Sequence, residues 1–208
     1  MIHPDHLILS TPDLSKGMDY VENLLGVRPV FGGQHLGLGT HNALLSLGNR
    51  TYVEVIAPDP KQNFDKNKLW ITIENVSTPR LSRWVAQTDQ LEAIVAKAKE
   101  HQIPIGDIRP GSRTQTDRTP VSWEATFPAV ESFGGLLPFF INWGNSLHPS
   151  ESLPLAGSLK KIFGTHPQPD LIQKYWHVLG IPYEIKYSAH PQLHAWIQTK
   201  KGLIKLGN

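Results

Sequence analysis

The sequence has no cysteine and no long apolar run. The first absence excludes disulfide bonds, thiolate metal ligands and a cysteine nucleophile. A helix that crosses a bilayer needs about 20 apolar residues, and no stretch of this chain approaches that length. The N-terminal residues 1–6 also lack the basic and apolar regions of a signal peptide. We therefore expect a cytoplasmic protein with no membrane partner.

An excess of charge of one sign is lacking as well. The 208 residues include 20 Lys and Arg against 18 Asp and Glu, a formal net charge of +2, and the basic residues are scattered. Proteins that bind nucleic acid concentrate basic residues on one face, so we expect no nucleic-acid partner. Hydrophobic residues make up 39% of the chain, which at this length is enough to form a globular core.

A pattern of one strand, one helix and three strands recurs three times. In the first segment Asp13 is a predicted helix cap, apolar residues follow at helical spacing, and Gly26 ends the helix. Asp89 is the corresponding cap in the second segment, and Leu179-Gly180-Ile181-Pro182 repeats the helix end in the third. Strands are predicted over residues 5–10, 27–31, 41–47, 52–56, 81–88, 121–127, 136–143, 159–163, 183–187, 193–199 and 203–206.

This recurrence predicts an α+β protein made of repeated βαβββ units. We assign the first unit to residues 1–60 and the second, paired with the first, to residues 78–148. A third, shorter unit over residues 158–208 is expected to pack on the same domain, because a lone unit of this size would be marginally stable.

Four segments of the sequence share a signature with a known family. They are Asp5-His6-Leu7-Ile8-Leu9 and residues 31–44, 52–60 and 137–143. These segments resemble the glyoxalase-like domain family of the vicinal oxygen chelate superfamily, which includes bleomycin-resistance proteins and dioxygenases. The resemblance implies βαβββ units whose mixed sheets line a cup, with the helices on the outside. It also implies a small-molecule ligand in the cup and, in most members, a divalent metal held by the first and last strands of each unit.

The candidate metal ligands are His6 on the first strand and Glu54 on the fourth. Glu54 lies inside an otherwise apolar strand, and a buried carboxylate is costly unless it is paired or bound to a metal. The resemblance places metal ligands on these two strands, and an imidazole with a carboxylate suits Zn, Fe, Mn or Ni. A hydrogen-bonded pair is the alternative. The second unit has Arg83 and the segment 139–142 where further ligands are expected, so the set is incomplete.

Five other side chains are candidates for catalysis or substrate binding. Arg83 in the cup indicates an anionic substrate or an ion pair with the buried carboxylate. Arg113 lies in a polar stretch that we predict to be a surface loop, with a lid over an anion as the alternative. His35 and His41 lie in and just after a glycine-rich loop. Either could be a general base or a third metal ligand, and the alternative is that both are solvated residues of a hairpin connection. Trp123 is a candidate wall of an apolar pocket, or part of the core.

Three functions fit these observations. The leading hypothesis is a glyoxalase-like enzyme, of lyase, isomerase or dioxygenase type, that acts on a small anionic metabolite between the first two units. Glu54 would be its metal ligand or base, His41 a further base, and Arg83 or Arg113 the anion-binding residue. The alternative is a non-catalytic protein of the same fold that sequesters a small molecule. A structural role, in which the third unit mediates a homodimer, is a third option.

Overall fold

The computed structural model describes residues 2–62, 76–114, 120–127 and 133–207. The first segment contains β1 (His3–Ser10), α1 (Leu14–Leu25), β2 (Val30–His35), β3 (Thr40–Ser46) and β4 (Tyr52–Pro58). The second contains β5 (Arg80–Gln87), α2 (Leu91–Glu100), β6 (Ile108–Thr114), β7 (Pro120–Thr126) and β8 (Phe139–Asn142). After a 3-10 helix (Pro149–Glu151), the third contains β9 (Gly157–His166), α3 (Pro169–Val178), β10 (Glu184–Tyr187), β11 (Gln192–Thr199) and β12 (Gly202–Leu206). None of the helices in these described ranges is long and apolar enough to cross a membrane.

The first eight strands close into a barrel in the order β1-β4-β3-β2-β6-β7-β8-β5. In each half the first strand pairs in parallel with the last, β1 with β4 and β5 with β8. The halves join through the antiparallel pairing of β1 with β5 and through one pairing of β2 with β6, between Gln34 and Thr114. The predicted α+β fold, with repeated βαβββ units that line a cup, is therefore confirmed.

Side-chain alternation separates the barrel interior from its helix-covered outside. On β1, Leu7 and Leu9 point outward into the main apolar core, where they join Val21 of α1. Ile8 points inward and belongs to a second cluster that includes Val85 of β5. Burying each such aliphatic side chain contributes roughly 1.5–3 kcal/mol, so the alternation fixes which face of every strand turns inward.

The helix ends agree with the sequence pattern in α1 but not in α2. Asp13 caps α1 by accepting a hydrogen bond from Lys16 N at 2.9 Å, and Gly26 ends the helix with a φ of 84°. The prediction that Asp89 caps α2 is wrong. Gln90 takes the N-cap position, and its N–H donates to Thr88 Oγ1 at 3.1 Å. Thr88 and Asp89 are adjacent residues whose side chains can each accept such a hydrogen bond, and the sequence does not indicate which of them does so.

Residues 108–114 form a strand, and the predicted surface loop around Arg113 is wrong. β6 pairs with β7 along its whole length, from Ile108 opposite Thr126 to Thr114 opposite Pro120. The Arg, Pro, Gly and Ser composition of this stretch is typical of a loop. Its inner face, however, borders a cavity rather than a packed apolar core, and strand formation tolerates polar residues in that setting.

The third segment forms a four-stranded sheet of its own, in the order β10-β9-β11-β12. Its element order repeats that of the first two segments, but its pairing differs, because β9 lies between β10 and β11 instead of beside the last strand. Trp176 of α3 joins this segment to the barrel: its Nε1 donates to Leu136 O at 3.0 Å, as does Trp84 Nε1. One apolar core runs through all three segments.

Candidate functional site

The barrel contains a cavity of about 360 Å³ whose wall differs between the two halves. The first half supplies the polar set, which is His6, His35, Asn42 and Glu54. The second half supplies an apolar and aromatic set, which includes Val85, Trp123, Phe127, Phe139, Ile141 and Trp143. β6 adds two cations, Arg109 and Arg113. The cavity therefore has one polar side and one apolar side.

Glu54 and His6 meet in this cavity from neighbouring parallel strands. His6 Nε2 lies 3.4 Å from Glu54 Oε2, and Asn42 Nδ2 donates to Glu54 Oε1 at 2.7 Å. Burial alone would raise the pKa of Glu54. The hydrogen bond and charge of His6, with the charge of His35 and the hydrogen bond from Asn42, instead lower that pKa to about 2. Glu54 is therefore a buried, ionised carboxylate at neutral pH.

Asp5 holds His6 from the other side of the imidazole ring. Asp5 Oδ1 lies 2.6 Å from His6 Nδ1, and Asp5 Oδ2 accepts from Trp143 Nε1 at 2.8 Å and lies 3.2 Å from His148 Nε2. Burial would lower the pKa of His6, but the hydrogen bonds and charges of Asp5 and Glu54 raise that pKa to about 9. At neutral pH His6 is therefore an imidazolium between two carboxylates.

His35, the second histidine at this carboxylate, has the opposite electrostatic setting. Its Nδ1 lies 2.8 Å from Thr40 Oγ1, and its Nε2 lies 3.8 Å from Glu54 Oε1. Burial lowers the pKa of His35, and the charge of Arg113 lowers it further, while Glu54 opposes them. His35 is therefore a neutral imidazole under conditions in which His6 is protonated.

β6 places a buried cation in the cavity wall. Arg113 is only 8% exposed, and its Nη1 donates to Gly32 O at 2.6 Å. None of the ion pairs between described residues involves Arg113. A buried guanidinium is costly when its charge is not compensated, so this residue favours an anionic group in the cavity.

Two of the predicted site residues do not line the cavity. His41 is on the outer face of β3, where its Nδ1 lies 4.0 Å from Asp59 Oδ1, and the next residue, Asn42, faces the cavity instead. Arg83 lies with its guanidinium carbon 5.3 Å from the centre of the Phe139 ring, and the described cavity wall does not include it. A shift of one residue along a strand reverses the face to which a side chain points. Because β3 follows a glycine-rich loop, the sequence did not determine whether His41 or Asn42 faces the cavity. The predicted residues that the cavity does bring together are His6, His35, Glu54, Arg113 and Trp123.

Three residues of the site are missed by sequence analysis. Asn42 could have been found from the alternation that places Leu44 inside the barrel, since the two share a face. Asp5 stands next to His6 in the sequence signature, which is a weaker signal. His148 gives no signal, because it reaches Asp5 across 143 positions of the chain.

The described residues around the cavity do not include a cluster able to hold a metal ion. His6 Nε2 lies 3.4 Å from Glu54 Oε2 and His35 Nε2 lies 3.8 Å from Glu54 Oε1, so each imidazole is placed beside a different oxygen of the carboxylate. Within the described ranges, no group of three or more His, Asp or Glu side chains could hold a metal ion. The second half of the barrel adds Val85 and Ile141 to the wall, and neither has a donor atom.

Residues 5–180 match the family model described as a glyoxalase-like domain. A hypothetical protein from Staphylococcus aureus has a similar structure, with a TM-score of 0.68 and 16% identity over 100% of this chain and 85% of that chain. A methylmalonyl-CoA epimerase in complex with methylmalonyl-CoA and NH4+ has a TM-score of 0.51 and 14% identity over 72% of this chain and 99% of that chain. A mutant 4-hydroxymandelate synthase from Streptomyces coelicolor has a TM-score of 0.53 and 9% identity over 98% of this chain and 61% of that chain. At these identities the likeness concerns the fold alone. No curated protein sequence matches the chain.

Proposed function

Because this chain belongs to the glyoxalase-like domain family of the vicinal oxygen chelate superfamily, we propose that it is an enzyme that moves a proton on a small anionic metabolite. One observation carries the proposal: two buried histidines with opposite pKa shifts flank the same ionised carboxylate in the cavity. Two titratable groups whose environments push their pKa values apart are well placed to act as acid and base.

In this proposal His35 is the general base and His6 the general acid. When His35 donates from Nδ1 to Thr40 Oγ1, its Nε2 is an acceptor at the cavity wall, where it lies 3.4 Å from Asn42 Nδ2. In this proposal the substrate takes the place of that contact. His35 Nε2 accepts a proton from a carbon next to a carbonyl group, and the electron pair of the broken C–H bond moves into an enolate. His6 Nε2 then gives a proton to the enolate. The substrate loses one proton and gains one, so the product is an isomer.

Glu54 has a different role from the base suggested by its sequence position. A carboxylate whose pKa is about 2 is a weak acceptor for a carbon-bound proton. Its charge instead keeps His6 protonated, and its Oε2 orients the imidazole of His6 at the cavity wall. Arg113 supplies the positive charge for the anionic end of the substrate.

Hydrogen–deuterium exchange on carbon tests this function without a known product. Small 2-oxo acids and related carboxylates are incubated with the protein in D2O, and loss of the proton signal next to the carbonyl is followed by NMR. We expect exchange with the wild type, a loss of about 10²- to 10⁴-fold in His35→Gln and His6→Gln, and no loss in His41→Gln. Exchange that is equally fast in His35→Gln would contradict the assignment of the base.

A non-catalytic binding protein is the second candidate, and the second half of the barrel favours it. That half lines the cavity with Val85, Phe139 and Ile141, none of which has a group able to transfer a proton. A protein of this kind would bind a carboxylate with unchanged affinity after His35→Gln and would give no exchange with any member of the panel. Binding measured by calorimetry, beside the NMR assay, separates the two candidates.

A further inference from the structure

The apolar side of the cavity contains four aromatic side chains. Trp123 of β7, Phe139 of β8 and two residues that follow these strands, Phe127 and Trp143, all line it. The rings lie close to one another, with centroids 5.4 Å apart for the tryptophans and 5.8 Å for the phenylalanines. Flat side chains in contact at these distances form a wall that favours flat apolar groups over branched ones.

Trp123 is one of the two partly buried members of this wall, with Phe127. Trp143 is 4% exposed and its Nε1 is bonded to Asp5, whereas Trp123 is only partly buried. The indole of Trp123 lies against Gly111, its partner across the β6–β7 pair. A Cβ at position 111 would lie 2.4 Å from Trp123 Nε1, so the ring can take this position only beside a glycine. The absence of a side chain at Gly111 therefore sets the orientation of the indole.

The aromatic surface and the cation lie on the same strand pair. Gly111 and Arg113 are two residues apart on β6, which in a strand corresponds to about 7 Å. Arg109 lies two residues from Gly111 in the other direction, lines the cavity and is exposed. A ligand that lies along β6 with its ring on Trp123 would therefore bring a carboxylate, carried on a short linker, to the buried guanidinium.

We infer that the ligand of this cavity is a small aromatic carboxylate, with its ring against Trp123 and its carboxylate on Arg113. The inference rests on the proposed function only for the statement that the ligand is anionic and occupies this cavity. A cavity of about 360 Å³ is at the small end of ligand pockets, which favours one ring and a short side chain. The carbon between ring and carboxylate then lies towards the polar side, where the two histidines are.

Four simple probes test the ligand class on the wild-type protein, with no variant that could fail to fold. They are 3-phenylpropanoate, propanoate, 3-cyclohexylpropanoate and 3-phenylpropan-1-ol. Calorimetry is expected to give 3-phenylpropanoate the lowest Kd. The alcohol should bind about 10- to 100-fold more weakly, because it lacks the charge that Arg113 pairs with, and the cyclohexyl acid about 3- to 10-fold more weakly. Equal affinity for phenylpropanoate and propanoate would overturn the aromatic part, and equal affinity for acid and alcohol the carboxylate part.

Two variants then assign the preferences to residues. Arg113→Met should remove the preference for the acid over the alcohol, and Trp123→Leu should remove the preference for phenyl over cyclohexyl. Arg50→Met and Trp196→Leu, which change the same residue types away from the cavity, should keep both preferences. Preferences that survive in Arg113→Met and Trp123→Leu would overturn the assignment.

The outcome is independent of the proton-transfer assay. If phenylpropanoate is preferred but no carbon exchange depends on His35, then the ligand class stands and the proposed function fails. If exchange depends on His35 but the preferred compounds are aliphatic, then the function stands and the aromatic carboxylate is wrong.

Discussion

Asp5 and His6, which are adjacent in the sequence, form a hydrogen bond of 2.6 Å between the carboxylate and the imidazole. The bond joins Asp5 Oδ1 to His6 Nδ1, so it leaves Nε2 as the nitrogen that faces Glu54. Asp5 is itself fixed by Trp143 and His148, which come from the far end of the barrel sequence. Asp5 therefore orients His6 and favours its protonated form, and it does not itself line the cavity.

We expect Asp5→Asn to lower the pKa of His6 from about 9 towards its ordinary value, because the variant removes one of the two charges that raise it. An NMR titration of the His6 ring protons measures this shift. The pH at which carbon exchange declines should move down together with the pKa of His6. Asp19→Asn, which removes an exposed carboxylate paired with Arg28, is the matched control and should leave His6 unchanged. An unshifted His6 titration in Asp5→Asn would be incompatible with this role.

The buried pair of His6 and Glu54 should stabilise the fold most between about pH 4.5 and 6.5. The folded pKa of His6 is raised from 6.5 to about 9, so its contribution is complete below pH 6.5 and is lost as the pH rises through 9. The folded pKa of Glu54 is lowered from 4.5 to about 2, so its contribution is present above pH 4.5 and is lost as the pH falls through 2. Urea unfolding measured from about pH 2 to about pH 9 covers both the acid and the alkaline limb of this profile.

The alkaline limb of that profile can be assigned to one residue. In wild type the loss between pH 6.5 and 9 is on the order of 3 kcal/mol, from the size of the His6 shift. His6→Gln should flatten this limb, while His41→Gln, on the outside of the barrel, should leave it in place. A limb that persists in His6→Gln would mean that another group carries it.

Glu54→Gln should lower the free energy of unfolding by about 1–3 kcal/mol at pH 6, since it removes the charge that pairs with a buried imidazolium. The variant should also lower the pKa of His6. Glu151→Gln breaks an exposed ion pair with Arg50 and should change the unfolding free energy little. If metal content, ligand binding and thermal stability are all unchanged in Glu54→Gln, Glu54 is an ordinary polar residue.

We expect no tightly held metal. The protein is incubated with Zn²⁺, Fe²⁺, Mn²⁺ or Ni²⁺, dialysed, and measured by elemental analysis. Because His6 and His35 approach different oxygens of Glu54, retained metal should be far below one equivalent. One equivalent in wild type, lost in both His6→Gln and Glu54→Gln, would instead restore these residues as metal ligands.

The division of the chain into units of residues 1–60, 78–148 and 158–208 stays a prediction, and the third unit tests it. A fragment of residues 158–208 loses the contacts of Trp176 with Leu136 and Trp84. We expect it to be unfolded by circular dichroism and by the dispersion of its NMR spectrum. A folded, monomeric fragment would show that the third unit does not need the barrel.

Much of the barrel could be predicted because alternation is a local property. The pattern of β1 and β4 places Leu7 and Val53 outside and His6 and Glu54 inside, as the structure has them. The strand β6 could not be predicted in this way, because residues that line a cavity need not be apolar. The strand order of the third segment also could not, since the pattern of elements does not say which strands pair.

The two sheets differ in whether they have edge strands. The closed barrel leaves none among its eight described strands, whereas the third sheet ends in β10 and β12. Unpaired N–H and C=O groups on such edges can pair with another chain, and Lys186 and Lys205 on these strands oppose it. Self-association by strand addition, a homodimer included, would therefore begin at β10 or β12. It would leave the ligand cavity intact, because no described residue of the third sheet lines it.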